Sequence, residues 1–382
     1  MRIAIDARMI GPENTRGIGR YTEELIKAMA QVEPQNTYSL LTRHSLPRLT
    51  ENFSNIQIVT ADIPWYSWRE QLALPGIIKN IKSDVVHFPH WNVPYIYKGP
   101  LVVTIHDLLL KHYPASAHSS RRSWPVRLIK QAGYELVLDG AVKKARAICV
   151  PTEFTKNDLL TFFPGVADKV MVTGEGIDHI FNSHSGGSTE NSVWSKSEEV
   201  EGISGYLLYV GSAYPHKKLD LLLEAWKSLS SIYPGLKLKI VGELDRFMIH
   251  YQRKFSFDEQ KVNFLGRVSD SALRTWYKGA MITVFPSSFE GFGLPPLEAL
   301  ASGCPVVSSD AASMPEVLGK KGVVYFKNGS KDDMIRAIKA VVDNHGYYHE
   351  QAKQAGPELA VKHSWKKVAE ITLDTYRLVA LG

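Results

Sequence analysis

The stretch "GYLLYVGSAYPHKKLDLLLEAW", residues 205–226, decides the fold class of this chain. Its first eight residues form an almost continuous apolar run, which predicts a β-strand covered by helices on both faces. The segment after the loop, "LDLLLEAW", predicts a helix. Further apolar runs alternate with helical segments, and they are "LKLKIVGE" (236–243), "VNFLGRV" (262–268), "MITVFPS" (281–287), "CPVVSSD" (304–310) and "GVVYF" (322–326). This alternation predicts an α/β fold with a parallel sheet.

The first half of the chain shows the same pattern. Its apolar runs are "RIAID" (2–6), "DVVHF" (84–88), "LVVTIHD" (101–107), "AICVPT" (147–152) and "KVMVTGEGID" (169–178). Between the first two, "YTEELIKAMAQV" (21–32) predicts a helix with Leu25, Ile26, Met29 and Val32 on one face. We therefore expect two Rossmann-like, doubly wound domains whose strands end at a shared cleft.

The chain length of 382 residues fits two domains of ordinary size. Residues 182–205 are rich in Ser, Gly and charge and lack hydrophobic periodicity, as is typical of a flexible connection. We predict a first domain at 1–183, a linker at 184–204, a second domain at 205–363 and a terminal helix at 364–382. This helix has Val368, Ile371, Leu373 and Tyr376 near one face, and it either completes the second domain or packs back on the first.

The composition argues against several classes of protein. There is no run of eighteen apolar residues and no secretory pattern in "MRIAIDARMI", so we expect a cytoplasmic protein. A net charge of +6 without a recognised binding module argues against nucleic acid as a partner. Cys149 and Cys304 lie at the edges of apolar segments, which predicts buried thiols and no disulfide. His87 and His90 are three residues apart, but no third ligand is placed near them, so we expect no metal.

The stretch "SSFEGFGLPPLEALASG", residues 287–303, carries the clearest chemistry. A strand ends near Ser287, a glycine loop follows, and Pro295 and Pro296 suit the first turn of a helix. Glycines and a helix N-terminus expose backbone N–H groups that suit phosphate or sugar hydroxyls. Glu290 in the loop and Glu298 on the helix could each accept hydrogen bonds from hydroxyls. The alternative is a helix carboxylate that stabilises the macrodipole beside an ordinary loop glutamate.

This stretch resembles the Glu-x7-Glu signature of retaining glycosyltransferases of family 4 (glycosyltransferase group 1), which have the two-Rossmann GT-B architecture. The resemblance extends over nearly the whole chain. Its other motifs stand in the expected order, and they are "TRGIGRYTEEL", "VVTIHDLL", "PTEFTKNDL", "GEGID", "LLYVGSAYPHKKLDLLLEAW", "FLGRVSD" and "MPEV".

The resemblance implies roles for residues of the second domain. Glu298 would hold the ribose hydroxyls of a nucleotide sugar, Glu290 a hydroxyl of the transferred sugar, and Lys217 the diphosphate leaving group. The backbone at the glycine loop would face the sugar and the phosphates, and this set comprises Gly291, Phe292, Gly293 and Leu294. Many members of the family carry an arginine where this chain has Ser212, and Arg267 could compensate. The segment with Arg267 and Val268 would meet the nucleobase through its backbone.

In the first domain, His106 matches a family histidine that faces the transferred sugar, and a structural histidine at a strand end is the alternative. Asp107 either orients His106 or caps the next segment of the chain. Gly17 and Gly19 would let the loop after the first strand close over the diphosphate, and Arg16 or Arg20 would contact phosphate or acceptor. Simple turn chemistry is the alternative interpretation of these glycines.

The segment around Lys217 resembles the mannosyltransferase branch, which implies GDP-mannose as the donor, with UDP- or dTDP-sugars as alternatives. The implied reaction is metal-independent, needs no cofactor and retains the anomeric configuration. The implied acceptor is a glycan or lipid-linked glycan in surface polysaccharide synthesis. A sugar-nucleotide epimerase, a glycan phosphorylase holding pyridoxal phosphate and a non-catalytic nucleotide-binding protein remain alternatives from other classes.

Residues 111–146 carry an excess of six positive charges. Interleaved apolar residues, namely Trp124, Leu128, Ile129, Ala132 and Leu136, would give this segment an apolar face. It therefore either rests peripherally on an anionic membrane surface, at the inner face of the plasma membrane, or forms a solvated basic helix.

Overall fold

The computed structural model of the protein describes residues 1–11, 17–113, 124–181 and 205–381. The chain divides into two compact units, Met1–Gly176 with His363–Gly382, and Ile177–Lys362. The predicted first domain, 1–183, therefore extends too far, because residues 177–181 belong to the second unit. His363, predicted to close the second domain, belongs to the first unit. The predicted linker 184–204 lies outside the described residues.

The described part of the first unit contains a parallel seven-stranded sheet in the order β3-β2-β1-β4-β5-β6-β7. The strands are Arg2–Asp6 (β1), Thr37–Thr42 (β2), Ile56–Thr60 (β3), Val85–Phe88 (β4), Leu101–Thr104 (β5), Ala147–Val150 (β6) and Val170–Val172 (β7). The helices are Ile18–Val32 (α1), Pro47–Thr50 (α2), Trp68–Ile81 (α3), Leu109–His112 (α4), Trp124–Lys144 (α5), Glu153–Phe162 (α6) and Trp365–Leu381 (α14, numbered by its place in the chain). Five of these strands match the predicted runs, whereas β2 and β3 were not predicted.

Both faces of this first sheet are buried, as nearly continuous apolar strands require. On β1, Ile3 and Ile5 pack on one face with Leu25 of α1, and Ala4 packs on the other face with Leu74 of α3. In α1, the predicted apolar face is confirmed because Leu25, Ile26 and Met29 are fully buried. Each such side chain contributes about 1.5–3 kcal/mol through burial.

The terminal helix α14 completes the first unit rather than the second. Val368, Leu373 and Tyr376 are buried in the same cluster as α1. The Tyr376 hydroxyl lies 2.6 Å from His87 Nδ1 on β4. Of the two packing modes left open by its sequence, the helix adopts the one that returns to the first domain.

The described part of the second unit contains a parallel six-stranded sheet in the order β10-β9-β8-β11-β12-β13. The strands are Gly205–Val210 (β8), Leu236–Val241 (β9), Val262–Gly266 (β10), Ile282–Phe285 (β11), Val306–Ser309 (β12) and Val323–Phe326 (β13). The helices are Leu219–Ile232 (α7), Arg246–Phe255 (α8), Asp270–Gly279 (α9), Leu294–Ala301 (α10), Met314–Leu318 (α11), Lys331–Asp343 (α12) and His345–Lys362 (α13). All six strands match the predicted runs.

Alternate residues of β8 pack on opposite faces of this second sheet. Leu207 and Tyr209 join a core with Trp226 of α7, whereas Leu208 and Val210 join the opposite core. Cys149 of the first unit and Cys304 of the second are buried free thiols, as predicted. Across the helices that the structure describes, none is both long and apolar enough to cross a membrane.

Candidate functional site

The strand order of the second sheet reverses direction between the adjacent strands β8 and β11. In open parallel sheets, ligands bind beyond the carboxyl ends of the strands at such a switch point. The loops that follow β8 and β11 carry Lys217 and Glu290. The topology therefore brings two predicted residues to the place where a ligand is expected.

The loop after β8 is shaped to present Lys217. Pro215 opens a short 3-10 helix, Pro215–Lys217, because its fixed φ suits a first helical position. The Lys217 N–H donates to the Tyr214 carbonyl at 2.8 Å. Lys218 then adopts a left-handed conformation with φ of +52° and begins the turn into α7. A left-handed lysine is costly, so the turn that positions Lys217 is held by its surroundings.

Lys217 Nζ lies 2.6 Å from Glu290 Oε1, although the two residues are 73 positions apart. Their side chains are 18% and 14% exposed, so the pair is sheltered but reachable. Lys217 Nζ also lies 5.6 Å from the ring centre of Phe285 at the end of β11. A hydrogen-bonded cation and carboxylate at this edge could interact with a diphosphate and a sugar hydroxyl respectively.

Backbone hydrogen bonds fix the loop after β11 against its neighbours. The His216 carbonyl accepts from the Ser288 N–H at 2.7 Å and from Ser287 Oγ at 3.3 Å. Ser313 Oγ, just before α11, donates to the Glu290 carbonyl at 2.9 Å or the Phe292 carbonyl at 3.2 Å. Residue-type patterns did not point to Ser287, Ser288 or Ser313. They position Glu290 through the backbone.

The glycine loop leads into α10 as the sequence predicts. Gly293 has φ of +92°, which favours glycine, and an added Cβ would lie 2.3 Å from the Met314 side chain. Leu294 is the first helical residue, and Phe292 is buried. Pro295 and Pro296 have no N–H, so backbone donors at this helix start are confined to residues up to Leu294.

Glu298 lies on α10 and is only 5% exposed. Its Oε2 accepts a hydrogen bond from the Tyr277 hydroxyl of α9 at 3.2 Å. Tyr277 is fully buried and was not predicted as part of the site. Each carboxylate oxygen can accept more than one hydrogen bond, so a buried carboxylate beside a neutral hydroxyl is suited to a further hydroxyl.

Three neighbouring strands, β8, β9 and β10, end at or before glycines. A Cβ on Gly242 would lie 2.1 Å from the Gly211 carbonyl, so this close approach of two backbones requires glycine. Ser212, which replaces the family arginine, accepts from the Tyr209 hydroxyl through its carbonyl at 2.6 Å. Arg267 forms an ion pair with Glu243, and both side chains are more than half exposed. Val268, next in sequence, packs against the core that contains Leu208 and Val210 of β8.

In the first unit, His106 follows β5 and is held through both ring nitrogens. Nδ1 lies 3.1 Å from Glu175 Oε1, and Nε2 lies 3.0 Å from the Pro89 carbonyl. Both partners are acceptors, so the two contacts together suit a doubly protonated imidazolium. Burial alone would lower the pKa of His106, but the hydrogen bond and charge of Glu175, the Pro89 carbonyl and the charge of Asp107 raise it.

Asp107 lies two residues before the short helix α4 and accepts a hydrogen bond from its first residue. Its Oδ1 accepts from the Leu109 N–H at 2.9 Å, at the start of that helix. Glu175, in the segment "GEGID", is the partner that fixes the His106 ring, and it was not among the predicted site residues. Only the resemblance of "GEGID" to a family motif marked that segment.

His87 is a structural histidine. Nε2 lies 2.8 Å from Thr104 Oγ1 and Nδ1 contacts Tyr376. Burial and the neighbouring His106 lower its pKa to about 3, and the same causes give the same value for His90. Within the described ranges, no group of three or more His, Cys, Asp or Glu side chains could hold a metal ion.

A buried charge network lies after β1. Arg8 Nη2 lies 2.6 Å from Glu70 Oε1, and Arg8 also forms two 2.7 Å hydrogen bonds with Asp6. Asn92 Nδ2 lies 2.9 Å from both Glu70 oxygens. The side chains of Arg8 and Glu70 are fully buried. Sequence patterns did not reveal this network because its partners come from three separate segments.

The prediction that Gly17 and Gly19 both belong to a closing loop is wrong for Gly19. Helix α1 begins at Ile18, so Gly19 lies in its first turn and is buried. Gly17 precedes the helix with φ of +56°, a conformation that suits glycine. Residues 12–16, including Arg16, lie outside the described residues.

Within the basic segment 111–146, the structure describes the side chains of residues 111–113 and 131–146. Lys111 is paired with Glu135, and Lys143 Nζ lies 2.9 Å from Asp139 Oδ2. Lys144 Nζ lies 3.8 Å above the Tyr95 ring. Several positive charges of the segment therefore have local partners.

Two doubly wound parallel sheets, one in each unit, define a two-domain α/β protein with Rossmann-like topology. The family model "Glycosyl transferases group 1" matches residues 192–358, and the model "Glycosyltransferase Family 4" matches residues 15–180. The chain belongs to the family 4 glycosyltransferases and has the GT-B fold.

Individual proteins agree with this assignment. The chain is 25% identical to O-antigen chain mannosyltransferase B of Escherichia coli, covering 95% of this chain and 96% of that protein. It is 28% identical to O-antigen chain mannosyltransferase RfbU of Salmonella typhimurium, covering 80% and 76%. The crystal structure of Anabaena Alr3699/HepE in complex with UDP and glucose has a TM-score of 0.71 at 16% identity, covering 99% and 100%.

Proposed function

We propose that this glycosyltransferase moves a hexose, mannose from GDP-mannose, onto a glycan or lipid-linked glycan with retention of configuration. The observation that carries the proposal is the Lys217–Glu290 pair at the switch point of the second sheet. This pair provides, side by side, the two kinds of group that a nucleotide sugar requires. The cation suits the diphosphate, and the carboxylate suits a sugar hydroxyl.

Lys217 would stabilise the negative charge that develops on the diphosphate as the bond from the anomeric carbon to the leaving oxygen breaks. Its charge is directed to Glu290 in the structure. Donor binding would redirect Nζ to the phosphates and leave Glu290 to accept from a hydroxyl of the sugar. The backbone at Gly291, Phe292 and Gly293 would contact the sugar and phosphates, and Glu298 would contact the ribose.

The acceptor oxygen would attack from the face on which the diphosphate leaves. Its proton would pass to the departing phosphate oxygen, so the new glycosidic bond keeps the original configuration. This route needs no protein nucleophile, metal or organic cofactor. His106, with both nitrogens engaged, would contribute a fixed positive charge near the sugar instead of acting as a base.

The donor assignment rests on the mannosyltransferases among the relatives. A UDP-sugar is the alternative, and it is favoured by the Anabaena structure, which contains UDP and glucose. The nucleobase would lie near Arg267 and Val268 at the end of β10. The exposed Arg267–Glu243 pair there offers both a donor and an acceptor for reading base edges.

The O-antigen relatives support a surface polysaccharide as the acceptor. We propose a cytoplasmic protein that contacts the anionic inner face of the plasma membrane through the basic segment 111–146. The apolar side chain of Leu136, 58% exposed, and the cation of Lys144 would take part in this contact.

A thermal-shift panel with GDP, UDP, dTDP and ADP, each with and without EDTA, tests the donor. A nucleotide at 100 times its dissociation constant stabilises the folded state by about 2.7 kcal/mol. We expect stabilisation by GDP that EDTA does not change. Stabilisation by UDP or dTDP alone would mean that the donor is a UDP- or dTDP-sugar and not GDP-mannose. Loss of the stabilisation with EDTA would mean that donor binding requires a metal ion.

The stereochemistry is tested by NMR of the product formed from GDP-α-mannose and a synthetic acceptor. An α-linked product at early times supports retention. A β-linked product would contradict it. No transfer from any of the nucleotide sugars, despite nucleotide binding, would favour the non-catalytic alternative.

A further inference from the structure

A small pocket lies at the switch point of the first sheet, where the order reverses between β1 and β4. Asp6 at the end of β1 lines it together with Trp65, His90 and Asn92. Its volume is about 10 Å³. A space of that size holds about one water molecule, or one hydroxyl group of a larger ligand.

The polar groups of this pocket include both donors and an acceptor. Trp65 Nε1 is buried and makes no hydrogen bond within the described part of the chain. His90 Nδ1 accepts from the Asn92 N–H at 3.3 Å, so the proton of the neutral ring resides on Nε2. Burial and the charge of His106 keep His90 neutral by lowering its pKa to about 3. The Asp6 carboxylate, 11% exposed, supplies the acceptor.

This combination discriminates between classes of ligand. Asp6 is already paired with Arg8, and a phosphate would place its own acceptor oxygens against the acceptor oxygens of this carboxylate. A metal ion or ammonium group would face the N–H group of Trp65. A hydroxyl both accepts and donates, so a single hydroxyl, or a water molecule in its place, satisfies an indole N–H and a carboxylate together.

The neighbouring backbone is held under strain to present aromatic rings. Tyr66 has φ of +57°, which is unusual for a bulky residue. Its N–H donates to Glu70 Oε2 at 2.8 Å, and Glu70 is anchored by Arg8 and Asn92. Strained residues held by a buried network occur mainly at functional sites.

The rings form an open platform beside the pocket. Tyr66 is 63% exposed, and its ring centre lies 5.6 Å from that of Trp91 and 6.5 Å from that of His90. An aromatic wall with a few convergent polar groups is the usual composition of a small-molecule site. The apolar face of a sugar ring suits such a wall while its hydroxyl occupies the pocket.

We propose that the pocket of Asp6, Trp65 and His90, with the Tyr66 and Trp91 rings beside it, binds a terminal sugar ring of the acceptor through one of its hydroxyls. The proposal rests on the proposed transferase function, since that function supplies a saccharide acceptor. It assigns Trp65 and His90 as specificity-determining residues of the first unit.

The direct test is NMR of the protein labelled with ¹⁵N at the tryptophan indoles and titrated with methyl α-D-mannopyranoside. Trp65→Phe, which removes the N–H and keeps a ring, identifies the Trp65 signal. Trp68→Phe identifies a matched control, because Trp68 is three residues away and 85% exposed. We expect the Trp65 signal to move and saturate while the Trp68 signal stays. An unmoved Trp65 signal at saturating glycoside, or a shift produced by inorganic phosphate instead, would overturn the proposal.

Kinetics of transfer to the same methyl glycoside provide the second test. Loss of one neutral hydrogen bond should raise the KM of Trp65→Phe for the glycoside about 3- to 10-fold. The thermal shift caused by GDP should equal that of the unaltered protein, which shows that the variant is folded. An unchanged KM for the glycoside would overturn the proposal. If no nucleotide raises the melting temperature of the unaltered protein but the glycoside still moves the Trp65 NMR signal, the donor assignment is wrong and the sugar-binding proposal for the pocket is supported.

Discussion

The two switch points hold their charges in opposite ways. In the first unit, Arg8 and Glu70 are fully buried, and each makes several hydrogen bonds. In the second unit, Lys217 and Glu290 form a simple, partly exposed pair. A saturated buried network fixes the shape of its surroundings, whereas a simple, partly exposed pair can exchange its partner for a ligand. The charges at the first switch point therefore mainly hold the neighbouring segments in place, whereas those at the second can interact with a charged ligand.

Arg8→Met should have the largest effect on stability. It leaves Asp6 and the buried Glu70 without their cation, and breaking such a pair typically costs about 3–5 kcal/mol. The measurement is the free energy of unfolding of the first unit, obtained from urea unfolding at neutral pH. Arg267→Met is the control, because its exposed pair with Glu243 should contribute less than about 1 kcal/mol. Equal losses in the two variants would contradict the contrast between fixed and exposed charges.

Lys217→Ala should reduce turnover by about 10²- to 10³-fold, the usual effect of removing one group that stabilises transition-state charge. Its folded stability should change little, because Glu290 is partly exposed and regains water. Initial rates of transfer and urea unfolding of the same variant measure both effects.

The matched control for Lys217→Ala is Lys218→Asn. Asparagine tolerates the left-handed conformation of position 218 better than alanine does. Lys218→Asn should retain turnover within about threefold, because asparagine preserves the turn and leaves Lys217 in place. Similar losses in the two variants would show that the general positive charge of the loop, and not Lys217 itself, matters.

The sequence predicted the second unit better than the first. All six strands of the second sheet are apolar runs that periodicity detects, and Lys217, Glu290 and Glu298 stand in recognisable motifs. In the first unit, β2 and β3 were not predicted, because "TYSLLT" and "IQIVT" have at most two apolar residues in succession and no glycine follows them as Gly242 follows β9. The assignment of Gly19 to a loop failed because helix α1 already begins at Ile18.

The partners of the predicted residues were the hardest part to foresee. Glu175 lies 69 positions from His106, and Glu70 lies 62 positions from Arg8. No local pattern relates residues so far apart, because only the packing of strands and helices brings them together. The resemblance supplied His106 but not the carboxylate that decides its protonation.

Glu175→Gln tests whether the first unit also fixes a charge at His106. The unaltered His106 has a folded-state pKa above its ordinary value of 6.5, so the associated stability is fully present below pH 6.5. That stability is lost as the pH rises through the folded-state pKa. Removing the Glu175 charge should lower the His106 pKa, so the stability difference between the two proteins should be largest near pH 6 and shrink at higher pH.

NMR titration of the His106 ring measures this pKa directly, and urea unfolding at several pH values measures the stability. Tyr21, His87, His90 and Asp107 also face His106, so Glu51→Gln on the surface controls for a general change in charge. If the imidazolium is the active form, the alkaline limb of the rate profile should move to lower pH in Glu175→Gln and stay in Glu51→Gln. A profile that stays in both variants, with a lowered His106 pKa, would mean that His106 only supports the structure. The charged groups of the first unit would then affect the reaction only by holding the fold in place.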